Sequence, residues 1–177
     1  MILAGGRAAV GTADATTPRR AMSLISSLLT VSHVALDGEV GDKKALFDQA
    51  ARLLENGSSL TRQQIIDSLN PRERMGSTAL GQGIAIPHGR VKGLREALGA
   101  FLRLRSPVAF DAPDDRPVNL VFVLLVPERA TDVHLQILSE LAQMFSDRSF
   151  RAQLAAAPDA TAAQRLIAAW QAHAPNG

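Results

Sequence analysis

The sequence contains no cysteine. That excludes disulfides, thiolate nucleophiles and cysteine-ligated zinc, and it suits a reducing compartment such as the cytoplasm, where this chain is expected to work. Long apolar runs are missing too, and nothing approaches the roughly 20 residues that a membrane-spanning helix needs. A surplus of charge is also lacking. The 177 residues carry 19 Lys and Arg against 17 Asp and Glu, a formal net of +2. Residues 1–20 account for that net, with Arg7, Arg19 and Arg20 against Asp14, and the rest of the chain balances. With no Tyr or Cys and lysine only at 43, 44 and 92, little titrates just above neutrality, so the isoelectric point near 9.7 does not mark a basic face. A binder of phosphate backbones needs a concentrated basic surface. Neither nucleic acid nor a membrane is therefore an expected partner. There is no G-x-x-x-x-G-K-[ST] loop, no G-x-G-x-x-G fingerprint and no G-x-S-x-G elbow, so nucleotide binding and elbow-type serine hydrolysis lack support. No His-x-x-x-His or His-Glu pairing offers the three ligands of a catalytic zinc, and no metal or other cofactor is expected.

What is there reads as one globular domain. Apolar residues make up 46% and charged residues 20% of the chain. At this size a domain buries about two thirds of its unfolded surface and needs no staples. The domain is expected over residues 22–172. Residues 1–21, dominated by small residues, Gly and Thr, read as a disordered extension, and residues 173–177 as a tail. Met22 is a candidate alternative start of translation. The pattern predicts a short helix at Ser23–Leu29 and a strand at Val34–Leu36. A helix capped by Asp42 then runs to about Glu55 and closes at Gly57, and a helix capped by Thr61 ends near Leu69, where Pro71 interrupts. Strands follow at Gly83–Ile86, closed by Pro87, and at Leu98–Leu104. The almost wholly apolar Val118–Val126 is a central strand covered on both faces. Thr131 or Asp132 caps an amphipathic helix to about Phe145, and helices near 147–156 and 161–172 complete the chain. The expected class is α/β, a mixed sheet flanked by helices on both faces. The strand order is not readable.

The most unusual local feature is GIAIPHGR, Gly83–Arg90. It leaves His88 at the end of an apolar strand, where ligand sites of open α/β sheets tend to lie. Gly89 removes a Cβ that would crowd a ligand and permits positive φ. A neutral imidazole near pH 7 is a nucleophile without a dedicated base, although a turn histidine holding a backbone hydrogen bond reads equally well here. His134, in the first turn of its helix, would sit where unpaired N–H groups and the positive dipole end bind anions and keep imidazole neutral; an exposed helix histidine is the alternative. Arg72, with Arg74 nearby, offers a guanidinium that grips phosphate through two parallel hydrogen bonds. Ser77 and Thr78, in MGSTALG, offer hydroxyls or amides to the same pocket. His33 and His173 stand beside no other candidate and read as structural or exposed.

Together these segments resemble the enzyme IIA proteins of the bacterial phosphotransferase system, in the fructose/mannitol superfamily and its nitrogen-regulatory branch. The likeness spans roughly residues 23–170. It is most specific over NPRERMGSTALGQGIAIPHGR (Asn70–Arg90), with FDAPDDRPVNLVFVLLVP (Phe110–Pro127) and HLQILSEL (His134–Leu141) in support. The resemblance implies that His88 takes a phosphoryl group on its far ring nitrogen while a backbone carbonyl holds the other. It implies that Arg72 is the active-site arginine and that His134 is a second histidine which binds the phosphoryl group without keeping it. Arg74 falls where relatives often carry lysine. The implied donor is a small histidine phosphocarrier protein of the HPr or NPr kind. Implied partners beyond it are regulated targets, by analogy potassium-transport or sensor-kinase components. With neither a IIB domain nor a membrane segment in the sequence, a stand-alone phosphocarrier regulator is expected. The alternatives are a sugar-type IIA passing phosphate to a IIB domain, and an interaction module that is not phosphorylated.

Overall fold

The computed structural model describes residues 23–129 and 131–171. The expected N-terminal extension, Met22, His173 and the expected tail lie outside the described residues. Six strands form one mixed sheet: β1 (Val34–Gly38), β2 (Ala79–Gly81), β3 (Ile84–Ala85), β4 (His88–Val91), β5 (Leu98–Val108) and β6 (Val118–Pro127). Five helices pack on it: α1 (Lys43–Glu55), α2 (Arg62–Arg74), α3 (Thr131–Ser146), α4 (Arg148–Ala156) and α5 (Ala160–Ala169). The strand order is β1-β5-β6-β3-β2, with β4 also on β6.

The centre of the sheet is β6, VNLVFVLLVP, buried at every position except Asn119 and Pro127. It runs antiparallel to β5 on one side and parallel to β3 and then β4 on the other. Strand alternation divides its side chains between two cores. Val121, Val123 and Leu125 face the layer of α1 and α2, with Leu46, Leu54, Ile65 and Leu69. Leu120, Phe122, Leu124 and Val126 face α3, α4 and α5, with Ile137, Leu141, Phe145 and Ile167. A strand buried on both faces has no polar side to spare, hence its unbroken apolar run. The result is a helix–sheet–helix sandwich, as the alternation of elements implies.

The helices begin where short polar side chains satisfy otherwise unpaired backbone N–H groups. Asp42 accepts from Ala45 N at 2.7 Å. Thr61 and Gln64 form a reciprocal capping box. Asp147 and Asp159 cap α4 and α5 in the same way. No helix among the described residues is long and apolar enough to cross a membrane.

The structure departs from the sequence pattern in several places. Ser23–Leu29 is a run of turns rather than a helix, closed by Ser26 N–Ser23 O and Leu28 N–Ile25 O bonds. Ser26 and Ser27 donate their hydroxyls to Ser23 O and Leu24 O, competing with a helical ladder. Helix α2 does not stop before Pro71 but continues to Arg74. Pro71 and Asp67, whose bond is lost, are both exposed, and side-chain bonds from Glu73 tie the last turn down. The strand expected at Gly83–Ile86 is β3, and beyond Pro87 a further short strand, β4, follows that the sequence pattern did not show. Finally, α3 starts at Thr131, so Thr131 and Asp132 lie within the helix rather than at its cap.

Candidate functional site

The break at Pro87 fixes His88. The Pro87 carbonyl accepts Leu124 N–H at 2.9 Å and β4 then pairs His88 beside Leu124, so the chain stays stitched to β6 across the interruption. The His88 ring folds back with Nδ1 2.8 Å from Ile86 O. A carbonyl only accepts, so Nδ1 carries the proton and the neutral ring keeps its lone pair on Nε2. The ring is half-buried. Burial lowers its pKa, the bond to Ile86 raises it, the Arg72 charge lowers it and Glu73 raises it, with a net shift below the ordinary 6.5.

His134 is the fourth residue of α3 and is 7% exposed. Its ring meets that of His88 edge-on, with centroids 5.4 Å apart and planes at 88°. Its pKa is lowered first by burial, then by the charges of His88 and Arg90. Its Nδ1 is buried with no hydrogen-bond partner among the described residues. Both rings are thus held below the ordinary histidine range, and the pair presents two neutral imidazoles near pH 7.

Arg72 comes to the site through a close helix–strand contact. A Cβ placed on Gly89 would lie 2.4 Å from Ser68 O, so the backbone of α2 rests directly on β4 there. Ser68 and Arg72 are four residues apart on one helix face. That seats Arg72 near enough for its charge to act on His88. Its Nη1 donates to Gly76 O at 2.8 Å. Gly89 is not at positive φ, and the space its missing Cβ leaves is filled by α2. The sequence-based reason for a glycine there, room for a ligand, is replaced by room for a helix.

Ser77 and Thr78 turn their hydroxyls inward. Ser77 Oγ donates to Phe110 O, and the buried Thr78 donates Oγ1 to Glu73 Oε2 at 2.6 Å. The Thr78 amide also goes to Glu73. Both hydroxyls therefore hold the loop in place. Arg74 is exposed. His33 is buried, with Nε2 2.8 Å from Asn56 O, which is a structural role. Sequence reasoning missed Glu73 and its partner Lys43, which lie 2.9 Å apart. A signal was there: an acid in the last turn of a helix opposes the dipole and wants a partner. No group of three His, Asp or Glu suited to a metal ion occurs among the described residues.

A lone pair on a neutral imidazole, flanked by a guanidinium and a second imidazole, suits attack on a phosphorus centre whose oxygens need cationic or N–H partners. Apolar side chains lie close to this site in sequence. Met75 follows Arg72 in the loop and is 85% exposed, while Val133 and Leu135 flank His134 at 50% and 67%.

Residues 27–170 match the family model described as phosphoenolpyruvate-dependent sugar phosphotransferase system, EIIA 2. The chain is 40% identical over 147 residues to the nitrogen regulatory protein of Pseudomonas aeruginosa, covering 82% of this chain and 96% of that protein. In three dimensions it is similar to the nitrogen regulatory protein IIA-Ntr of Neisseria meningitidis, with a TM-score of 0.78 and 52% identity over 82% of this chain and 99% of that one. The mannitol IIA of Escherichia coli shares the fold, with a TM-score of 0.67 at 22% identity over 78% and 98% of the two chains.

Proposed function

The chain belongs to the EIIA 2 family of the phosphoenolpyruvate-dependent sugar phosphotransferase system, and on that premise we propose that it carries a phosphoryl group on His88 Nε2. The observation that carries this reading is the 2.8 Å contact of Nδ1 with Ile86 O, which leaves Nε2 as the nucleophile. The donor is a phosphorylated histidine phosphocarrier protein of the HPr or NPr kind. Nε2 attacks phosphorus in line, the donor's P–N bond breaks, and its electron pair returns to the donor ring. His88 keeps its Nδ1 proton throughout, so the new phosphohistidine ring is cationic at nitrogen and balanced by the phosphoryl charge. Arg72 and His134 hold the equatorial oxygens. Positioning and electrostatics supply the catalysis, as in phosphoryl transfer generally.

The resemblance to nitrogen regulatory proteins favours a cytoplasmic regulator whose phosphorylation state selects the target proteins it binds. By analogy those targets are components of potassium transport or sensor kinases. Incubation with the phosphorylated donor is expected to add one acid-labile phosphate per chain, and His88→Ala to abolish it. Label on His88→Ala would overturn the assignment. An unlabelled wild type would instead favour an interaction module on the same fold. Rapid transfer from the labelled chain onto a IIB domain would favour a sugar-type carrier.

A further inference from the structure

We propose that Glu73 is a positioning residue for His88, acting through the backbone of the loop and hairpin between them; this rests on the reading of His88 as the phosphoryl acceptor. The connection is a continuous series of hydrogen bonds. Glu73 accepts Thr78 N at 3.2 and 3.3 Å and Thr78 Oγ1 at 2.6 Å. Thr78 O accepts Ile86 N at 3.0 Å, and Ile86 O accepts the Nδ1 proton of His88 at 2.8 Å. Glu73 therefore decides where Thr78 sits, Thr78 decides where the Ile86 peptide sits, and that peptide selects the His88 tautomer.

The carboxylate itself is held firmly. Its side chain is 7% exposed and pairs with Lys43 Nζ at 2.9 Å, and Lys43 lies 4.4 Å from the centre of the Phe110 ring. Phe110 in turn accepts Ser77 Oγ, so the loop is fixed on two neighbouring residues at once. A buried, paired acid that spends three hydrogen bonds on one threonine has a local job. Its neighbour Arg72 approaches His88 on the same helical turn, so one turn of α2 supplies both the anion-holding group and the support of the nucleophile.

The test reads the His88 ring in the absence of any donor. Ring nitrogen chemical shifts of wild type are expected to report the Nδ1–H form alone. In Glu73→Gln, which keeps the side-chain shape but loses the charge and one acceptor, a mixture of both tautomers is expected. The initial labelling rate should fall about tenfold, because a nucleophile held loosely loses much of its orientational advantage. Label should still end at one per chain. Thr78→Val, which loses the hydroxyl but keeps the amide bond, should give an intermediate shift and rate, and it serves where Glu73→Gln does not fold. Glu73→Asp should restore part of both. A merely structural role would lower the melting temperature and leave tautomer and rate unchanged, and that result overturns the proposal. Because the tautomer is read without phosphate, an unlabelled wild type would sink the phosphocarrier reading separately.

Discussion

His134 stands edge-on to His88 with ring centroids 5.4 Å apart, one ring from the first turn of α3 and the other from the start of β4. Strand β6 makes that meeting possible. It pairs with β4 along His88–Val91 and ends at Pro127, just before α3 begins at Thr131. Two residues far apart in sequence are brought together because both are anchored to the same buried strand.

On the proposed reading, His134 steadies a phosphoryl group at His88 and does not keep one. His134→Ala is expected to accept a full equivalent of phosphate on His88 at an initial rate lower by about 10- to 100-fold. That loss matches removal of one charge-assisted hydrogen bond of about 1.5–3 kcal/mol. Rapid-quench labelling with the phosphorylated donor measures it. A variant that fails to reach one phosphate per chain would make His134 an acceptor in its own right.

The pH profile follows from burial. His88 and His134 both have pKa values held below the ordinary 6.5, chiefly by desolvation. Below about pH 6.5 the unfolded chain binds protons that the folded chain resists, so their contribution to stability is fully present above about 6.5 and is lost as pH falls through the lowered folded values. If His88 is the acceptor, as proposed, its reactivity follows the same window. The labelling rate should be flat from about pH 7.5 down to about 6.5 and fall only below that. A rate already halved at about pH 6.5 would show that His88 titrates like a free imidazole.

Much of the fold was legible because the long elements carry a clear period. Helices α1 and α2 begin at the caps read from Asp42 and Thr61, and β6 coincides with an apolar run that only a doubly covered strand explains. The short pieces were legible only in part. The apolar run at Gly83–Ile86 marked β3, but β2 and β4 have three and four residues, too few to establish alternation, and they exist because β6 and the hairpin offer them partners. Pro71 misled for a related reason: tertiary bonds through Glu73 hold a turn that local propensity would end. At the site, residue type and position made His88, His134 and Arg72 candidates among other readings, and the family resemblance supplied their roles. Glu73 was missed between two arginines: its last-turn position signals a need for a partner, but its partners, Lys43 and Thr78, are set by the tertiary fold.

Replacing Arg72 by lysine tests geometry apart from charge. Lysine keeps the positive charge but is a point donor, whereas the guanidinium can hold two oxygens while its Nη1 stays on Gly76 O. Arg72→Lys should fold normally and label about tenfold more slowly, with Arg72→Ala slower still, in keeping with loss of one charge-assisted bond of about 1.5 kcal/mol against two. Equal rates for lysine and wild type would mean that Arg72 contributes only charge.

Gly89 offers the sharpest structural test, because it separates the two reasons for a glycine next to the nucleophile. If the residue merely cleared room for a ligand, Gly89→Ala would leave stability alone and weaken labelling. The structure puts backbone there instead: the added Cβ would lie 2.4 Å from Ser68 O and 2.7 Å from Ser68 C. Neither atom can rotate away, so α2 must lift from β4, and Arg72 lifts with it. Gly89→Ala is expected to lose about 1–3 kcal/mol in urea unfolding, the usual cost of overpacking a well-packed contact. Labelling should slow as well, and Arg72→Ala added on top should cost less than it does in wild type, because the guanidinium has already been displaced. Unchanged unfolding with slowed labelling would return Gly89 to the role of ligand clearance.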